Sequence, residues 1–498
     1  MTSADSDGSL AGSLENCLPD LLRSQRWFAG KTDAALTVQV EDIVPVSSDG
    51  YQLAIVTVGS ESSAVSRTYV VSVCISDSVT ECSAEAGFWQ SLLRRLASEP
   101  QGISSQSGQT LRLTPGPGIA HLDSLDASTR VAVHPGEQSN TSAVIGDDVF
   151  LKLFRKVEPG INPDSEIATR LSEQAGYDAS PQVVATIELT DGNTSRCIAL
   201  LSELVHAEAD AWTTTLAELS EYWQRVSAWD AGAEHREPPA SGHMSESLCG
   251  SFVQQVAELG TATARMHVAL SSVDDDAFRP EPFCQSQLAQ LVAAVKQELA
   301  DTCRLLSESA SCSAHVSADI ESAGQTELQR LAALQLSGDE VRIIRCHGDY
   351  HLGQVLWTGT QWKIIDFEGE PDRPLSERRE KQCALKDVAG MVRSFHYASN
   401  AGSVGLIDAP ANTIDDPDRF RDEWYRVVRD AFLTAWRAES DGSLFAPTDD
   451  GLYWQLLDLF LLEKVLYELR YELQNRPGWV PIPLAGIAHV LKVSVPGS

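Results

Sequence analysis

A change of hydrophobic periodicity near residue 203 constrains the fold of this chain more than any other feature. Before it, runs rich in Val, Ile and Tyr alternate with Ser, Gly and Asp turns, as at 38–46, 51–58, 68–75, 149–154 and 182–189. Such runs are typical of β-strands. After it, apolar residues recur at helical spacing, as at 248–270, 284–306 and 453–474, which predicts amphipathic helices. The predicted fold class is therefore α+β, with a β-rich first part and a mostly helical second part.

The same change predicts the domain organisation. We expect an N-terminal cap at 1–105, a second β-rich part at 106–204 with one helix near 163–173, and a helical part at 205–498 that holds a small β insert. Polar segments at 271–276, 307–325 and 400–418 are interpreted as surface loops. A β-rich part joined to a helical part is expected to form a cleft, and ligands favour such places.

The charge balance excludes several classes of partner. Asp and Glu number 70 against 38 Lys and Arg, which gives a net charge of −32 and a sequence pI of about 4.6. Nucleic-acid binding needs a basic footprint, and so does adhesion to anionic lipid. The sequence contains no uncharged apolar stretch of about 18 residues, and residues 1–20 lack a secretory signal. The ten cysteines form no C-x-x-C pair, which favours reduced thiols and a cytoplasmic location.

The strongest local motif is H-G-D-Y-H-L-G-Q at 347–354, followed by I-I-D-F-E-G-E at 364–370. Phosphoryl transfer needs one carboxylate to take the proton of the attacking hydroxyl and another to hold magnesium against the nucleotide phosphates. Asp349 fits the first role and is the predicted catalytic residue. Asp366 fits the second, with Gln354 and Glu368 as further predicted metal ligands. The spacing of five from Asp349 to Gln354 equals that of the protein-kinase catalytic loop.

The ATP-binding half is predicted upstream, in the β-rich part. The strand V-F-L-K-L-F at 149–154 carries Lys152, and Glu166 opens a helix fourteen residues later. A strand Lys that contacts phosphates and is held by a helix Glu is the protein-kinase arrangement. The segment predicted to cover the phosphates consists of Ser139, Asn140, Thr141 and Ser142, and the segment predicted to meet adenine contains Ser202, Glu203 and Val205. The cations expected near the phosphates are Lys152, Arg155 and Lys156.

These motifs resemble those of the maltokinase family. Maltokinases are sugar kinases of the aminoglycoside-phosphotransferase-like, protein-kinase-like group. The resemblance extends over Q-R-W-F-A-G-K at 25–31, the nucleotide segments, the H-G-D and D-F-E motifs, D-V-A-G-M-V-R-S-F at 387–395 and Y-E-L-R-Y-E at 467–472. It implies a bilobal kinase that uses ATP and Mg²⁺ to phosphorylate maltose at its anomeric hydroxyl. Maltose 1-phosphate would feed α-glucan synthesis. Similar domains occur fused to trehalose synthase, so a separate trehalose synthase is the candidate protein partner.

The sugar pocket is expected on the helix around 463–472. Lys464, Tyr467, Glu468 and Tyr471 lie at i, i+3, i+4 and i+7 and share one helix face. Together with His351, they are predicted to bind the substrate, although an aromatic stripe of this spacing equally fits a packed core. On another predicted helix, an ion pair between Asp387 and Arg393 is expected to brace the catalytic loop.

Two alternatives stay open at this point. A kinase for another sugar, such as glucosamine, keeps the chemistry, and the acceptor ammonium would favour an extra carboxylate in the pocket. A catalytically silent sugar- or nucleotide-sensing pseudokinase is the second alternative. It conflicts with the presence of Lys152, Glu166, Asp349, Gln354 and Asp366. His396 departs from the maltokinase pattern, in which Asp is expected at that position.

Overall fold

β-strands dominate the first unit of this chain and helices dominate the second. In the computed structural model, the two units are Met1–His206 and Ala207–Ser498, so their boundary falls just after the predicted one at 204. The structure describes residues 4–28, 30–31, 35–60, 63–122, 129–134, 139–230, 247–309, 314–336, 340–371, 373–408, 414 and 416–492. The predicted α+β class is confirmed.

The first unit begins with a helix and an antiparallel sheet. The elements are α1 (Ala4–Ser24), β1 (Leu36–Pro45), β2 (Tyr51–Ser60), β3 (Ser63–Ile75) and β4 (Val79–Glu81). The helix buries Leu14, Leu18 and Leu22 completely in the core of this sheet. Sequence analysis did not predict α1, because Ser, Gly and Pro19 lower the helix propensity of the segment. The spacing of four between these leucines was the available signal.

A second sheet of the first unit has seven strands and is antiparallel throughout. Its strands are β5 (Ile103–Ser104), β6 (Thr110–Pro115), β7 (Val131–Val133), β8 (Thr141–Ile145), β9 (Val149–Leu153), β11 (Val183–Thr190) and β12 (Ser195–Glu203), in the order β5-β6-β11-β12-β9-β8-β7. Two helices accompany it, α2 (Ala86–Ser98) and α3 (Pro163–Glu173). Pro163 is the first residue of α3, and Asn162 caps it by accepting a hydrogen bond from the Ser165 amide at 3.1 Å.

The Arg155 side chain connects the two sheets of the first unit. It is fully buried, and its Nη2 lies 3.0 Å from Glu81 Oε1 while its Nε donates to Thr141 Oγ1 at 2.8 Å. The guanidinium also stacks on the Trp27 ring at 4.4 Å. Directly afterwards, β10 (Lys156–Val157) pairs with β3. The two sheets, which lie on either side of the expected boundary at 105, therefore share contacts through Arg155. The prediction that Arg155 faces phosphates is wrong, because its hydrogen-bond donors are engaged in the interior.

The second unit consists mainly of helices around two small sheets. The helices are α4 (Ala211–Asp230), α5 (Phe252–Ser271), α6 (Gln285–Glu308), α7 (Ala314–Ala332), α8 (Leu375–Arg378), α9 (Leu385–Ser399), α10 (Pro417–Glu439), α11 (Asp450–Asn475) and α12 (Pro481–Leu491). One sheet has the order β13-β16-β17, from β13 (Ala209–Asp210), β16 (Val355–Trp357) and β17 (Trp362–Ile364). The other pairs β14 (Glu281–Pro282) with β15 (Arg342–Ile343).

The predicted surface loop at 307–325 is wrong. Helix α6 continues to Glu308, and α7 begins at Ala314. Val316 and Ile320 are buried, as are Leu328 and Leu331 further along α7, so the polar residues between them are the exposed face of an amphipathic helix. Parts of the predicted loops, at 310–313, 409–413 and 415, lie outside the described residues.

Replacement of Arg155 by Met should strongly destabilise the first unit. The Glu81 side chain is only 8% exposed, and removal of its cation leaves a buried carboxylate without its partner, which costs about 3–5 kcal/mol. Urea unfolding of the full chain measures the change. The matched control is Arg170→Met, since Arg170 forms an exposed pair with Glu173 at 3.1 Å; its effect should stay within about 0.5 kcal/mol. Similar losses for both variants would refute the structural role of Arg155.

Candidate active site

The β16–β17 hairpin brings the predicted metal ligands together. Val355 pairs with Ile364 across the hairpin, and the Ile365 amide donates to the Gln354 carbonyl at 3.0 Å. Gln354 therefore lies opposite Ile365, next to Asp366 in the chain. Asp366 has a φ of +68°, a conformation that costs a non-glycine residue about 1 kcal/mol or more and that clusters at functional sites. Carboxylate and amide oxygens are the donors that Mg²⁺ prefers, so Gln354, Asp366 and Glu368 fit this metal chemically.

Buried contacts of His347 fix the segment that carries Asp349. The His347 ring is 1% exposed and lies 5.1 Å from the Tyr350 ring and 5.0 Å from the Phe367 ring. Its Nε2 donates to the Ile365 carbonyl at 2.9 Å, which ties the H-G-D segment to the end of β17. Gly348 has a φ of +89°, which glycine adopts without strain. The chain thereby turns immediately before Asp349.

The Asp387 carboxylate holds the same segment from α9. It accepts hydrogen bonds from the amides of His347 at 2.8 Å and Gly348 at 3.0 Å. His267 Nε2 lies 3.0 Å from the same carboxylate, and His267 Nδ1 accepts from Trp436 Nε1 at 3.1 Å. Burial alone raises the pKa of Asp387, but the hydrogen bonds and the neighbouring His267 outweigh burial and lower the pKa below its ordinary value. The buried group is thus an ionised carboxylate.

The expected ion pair between Asp387 and Arg393 is wrong, although Asp387 does brace the catalytic loop. Arg393 Nη2 instead lies 2.7 Å from Glu468 Oε2 on α11. Residues six apart lie on different faces of a helix at 3.6 residues per turn, so the two side chains reach different neighbours. Arg393 therefore joins α9 to α11, and Asp387 joins α9 to the loop.

A cavity of the second unit contains Asp349 in its wall. Five carboxylates line it, one of which is Asp387; each of the other four has a basic partner: Asp349 with Lys464 at 3.4 Å, Glu463 with Lys386 at 3.4 Å, Glu298 with Arg470 at 2.6 Å, and Glu370 with Arg373. The larger, apolar part of the lining includes Ala294, Val295 and Phe460. A mostly apolar surface with a few convergent polar groups is typical of a small-molecule site.

The cavity contains some of the predicted sugar-binding residues and omits others. Lys464 and Tyr467 line it, together with Glu463 and Arg470 on the same face of α11. Glu468 lies to one side of that face and accepts from Arg393 at 2.9 Å. Tyr471 lies one turn further on, 41% exposed, and stacks on Tyr467 at 6.4 Å between centroids. Of the four residues predicted on this helix face, Lys464 and Tyr467 line the cavity and Glu468 and Tyr471 do not; their binding of a sugar stays a prediction.

His351 is also absent from the residues that line this cavity. Its Nδ1 accepts a hydrogen bond from the Gly353 amide at 3.0 Å, and it thereby caps the single 3₁₀ turn Leu352–Gln354. His351 thus positions the turn that carries Gln354, and its binding of the substrate stays a prediction. The residues that sequence analysis missed are Glu298, Glu370, Arg373, Glu463 and Arg470; the DFEGE motif and the helix at 463–472 offered a signal for Glu370, Glu463 and Arg470.

In the first unit, Lys152 has a nearly buried acidic partner. Lys152 Nζ lies 2.9 Å from Asp164 Oδ2, and the two side chains are 11% and 4% exposed. Asp164 is in the first turn of α3, two residues before the predicted partner Glu166. The predicted partner was Glu166, and the acid that the structure places beside Lys152 is Asp164. A contribution of Glu166 stays a prediction.

The side chains of the segment predicted to cover the phosphates point to opposite faces of the sheet, because successive residues of a strand alternate. Ser142 pairs across the sheet with Lys152, so the two side chains point to the same face. Thr141 points the other way, where its hydroxyl accepts from Arg155, and the prediction that Thr141 contacts nucleotide is corrected accordingly. Asn140 accepts from the Arg155 amide at 3.4 Å, and Ser139 is exposed.

The segment predicted to meet adenine lies at the end of the first unit. Ser202 and Glu203 are the last residues of β12 and pair with Phe150 and Val149 of β9. Val205 follows, one residue before the unit ends. Its role, like those of Ser202 and Glu203, stays a prediction.

Comparisons of this sequence with known proteins find similarity to phosphotransferases and sugar kinases. Residues 130–369 match the phosphotransferase enzyme family. The glucosamine kinase of Streptacidiphilus jiangxiensis is 25% identical over 382 residues, which cover 74% of this chain and 76% of that protein. The glucosamine kinase of Mycolicibacterium smegmatis is 23% identical over 426 residues, covering 80% and 94%. The predicted enzyme class, an ATP-dependent carbohydrate kinase, is confirmed. The narrower resemblance to maltokinases is not confirmed by these matches.

Solved structures support the fold. A glucosamine kinase in one crystal form aligns with a TM-score of 0.67 and 19% identity, covering 97% of this chain and 99% of that one. A glucosamine kinase in complex with glucosamine, ADP and inorganic phosphate aligns with a TM-score of 0.60 and 19% identity, covering 95% and 98%. The predicted protein-kinase-like architecture is thereby confirmed. Among the described residues, no helix is long and apolar enough to cross a membrane.

His396, which departs from the maltokinase pattern, is a buried residue of α9. It is 6% exposed, and its ring meets Tyr425 edge-on at 5.2 Å between centroids. Burial lowers the pKa of His396 well below 6.5, and the neighbouring Arg393 acts in the same direction. His396 is therefore neutral in the folded chain at neutral pH. It lies near Arg393, which pairs with Glu468, and its role is structural.

Replacement of His396 by Leu should flatten the pH dependence of stability. The unfolded chain protonates this residue below about pH 6.5 while the folded chain resists protonation. Stability is therefore lost as pH falls below that value. The expected contribution is about 1 kcal/mol per pH unit, measured by urea unfolding at pH 7.5 and 5.5. Exposed His315→Gln is the control. An equal loss in the wild type and in His396→Leu would contradict a neutral buried His396.

Proposed function

We propose that this chain transfers the terminal phosphoryl group of ATP to a hydroxyl of an amino sugar of the glucosamine type. The observation that carries this proposal is the cavity beside Asp349, which is lined by Glu298, Glu370 and Glu463 as well as Asp349 itself. Carboxylates make strong, charge-assisted hydrogen bonds to an ammonium group. The two relatives described above bear the name glucosamine kinase, which supports the same acceptor.

In this proposal, Asp349 accepts the proton of the acceptor hydroxyl as that oxygen attacks the phosphorus atom. A base must be within hydrogen-bond reach of the proton that it takes, and Asp349 lies in the cavity wall. Hydrogen bonds from the segment before it to Asp387 and Ile365 hold its backbone in place. Positioning of this kind supplies much of the catalysis in phosphoryl transfer.

Two positive charges would neutralise the phosphates of ATP, that of Lys152 and that of a bound Mg²⁺. Lys152, beside Asp164 in the first unit, would contact them directly, with Ser142 on the same sheet face. Gln354, Asp366 and Glu368 would hold Mg²⁺, which neutralises developing negative charge on the phosphates. The net charge of −32 makes such local cations necessary for binding an anionic nucleotide.

Maltose is the second candidate acceptor. The sequence features that favour it are Q-R-W-F-A-G-K at 25–31 and Y-E-L-R-Y-E at 467–472, which resemble the maltokinase family. Tyr467 in the cavity wall offers the aromatic face that a pyranose ring favours. Phosphorylation of maltose would give maltose 1-phosphate for α-glucan synthesis, and a trehalose synthase acting on a separate chain would then be its natural partner.

A coupled ADP-release assay across glucosamine, maltose, glucose and an aminoglycoside decides the acceptor. We expect kcat/KM for glucosamine to exceed that for maltose by at least tenfold, because an ammonium gains carboxylate contacts that a neutral sugar lacks. Turnover of maltose without turnover of glucosamine would overturn the amino-sugar assignment and favour the second candidate. Absence of turnover with all four sugars would overturn the kinase proposal for these acceptors.

The same assay on Asp349→Asn tests the catalytic base. Turnover should fall at least a hundredfold, since general-base catalysis contributes about 10²–10⁴-fold, while ATP affinity measured by calorimetry should change little. Asp301→Asn on α6 is the matched control, because Asp301 is outside the cavity lining and pairs with Arg304 at 2.8 Å. Unchanged turnover in Asp349→Asn would show that the base is misassigned.

A further inference from the structure

We propose that Lys464 is the positioning residue for Asp349, holding its carboxylate oriented toward the acceptor hydroxyl. This inference rests on the proposed function, since Asp349 acts as a base only if the chain is a kinase. It reassigns Lys464, which the sequence predicted to be a sugar contact. Lys464 lies beyond the segment 130–369 that matches the phosphotransferase family, so helix α11, outside that segment, would supply the partner of the base.

The contact between the two side chains is direct. Lys464 Nζ lies 3.4 Å from Asp349 Oδ1, and the side chains are 21% and 24% exposed. Solvent screens such a partly buried pair less than an exposed one. The ammonium also lies over the Tyr467 ring at 5.2 Å from its centroid, a favourable cation–π position. These two contacts place the charge of Lys464 against the Asp349 carboxylate.

The other cations of the cavity are engaged elsewhere. Lys386 of α9 pairs with Glu463, Arg470 of α11 with Glu298 of α6, and Arg373 with Glu370. Within the described residues, Lys464 is therefore the cation that forms an ion pair with Asp349.

The surroundings keep Lys464 protonated. Burial by itself lowers the pKa of Lys464, but the carboxylates of Asp349, Glu370 and Glu468 outweigh burial and raise the pKa above its ordinary value. The positive charge of Lys464 therefore stays beside the Asp349 carboxylate and restrains its orientation.

Separate measurements of kcat and KM with glucosamine and ATP test this role. In Lys464→Met, kcat should fall about tenfold or more with little change in KM for the sugar, because a misplaced base slows the chemical step and leaves ground-state binding intact. Lys464→Arg keeps the charge and should restore kcat close to its wild-type value.

Lys386→Met is the matched control, because Lys386 lines the same cavity and pairs with Glu463 at the same 3.4 Å distance. Its kcat should fall less than that of Lys464→Met, because Lys386 does not pair with Asp349. An unchanged kcat in Lys464→Met would overturn the proposal. If the KM for the sugar rose while kcat stayed unchanged, Lys464 would be a substrate contact.

A second measurement separates this inference from the proposed function. The Tm values of Asp349→Asn, Lys464→Met and the double variant form a cycle that needs no activity. If the residues interact as proposed, the two single effects should be non-additive, even if the wild type phosphorylates none of the tested sugars. Additive effects would overturn the pairing. If Lys464→Met does not fold, Lys464→Gln takes its place in both measurements.

Discussion

The candidate active site depends on one buried carboxylate, that of Asp387. Its two oxygens accept hydrogen bonds from the amides of His347 and Gly348, and His267 lies 3.0 Å away. An ionised carboxylate at 2% exposure is tolerated only when its lone pairs are satisfied by donors. Because those donors are the amides immediately before Asp349, the energetic need to satisfy Asp387 also fixes where the predicted base is held.

A parallel arrangement stabilises the first unit. Arg155 is completely buried, and its donors reach Glu81, Thr141 and the Val70 carbonyl. In both units a buried charge joins separate elements through several hydrogen bonds. Removal of one partner would leave a charge without compensation, so each network favours one arrangement of the backbone around it. Lys152, the residue predicted to contact the nucleotide, lies three residues before Arg155 in the same segment, and the Asp349 loop is hydrogen-bonded to Asp387.

Sequence alone could predict the part of the site that lies within short, contiguous motifs. Asp349, Gln354 and Asp366 were accessible because one hairpin connects them and their spacing is fixed by phosphoryl-transfer chemistry. The structural roles of Arg155 and Asp387 could not be predicted, because a sequence does not show whether a charged side chain is buried and paired or exposed at the surface. Glu298 comes from α6 without any local motif. The choice of Asp164 beside Lys152 depends on the rotation of α3, which a spacing does not determine.

Hydrogen–deuterium exchange of the peptide spanning 345–352 tests the central claim, that Asp387 holds the catalytic loop, most directly. In the wild type, the amides of His347 and Gly348 are hydrogen-bonded to the Asp387 carboxylate and should exchange slowly. In Asp387→Asn, one amide loses its acceptor, so the peptide should exchange at least tenfold faster while peptides from β8 and β9 stay unchanged. Equal protection of 345–352 in both proteins would contradict the account.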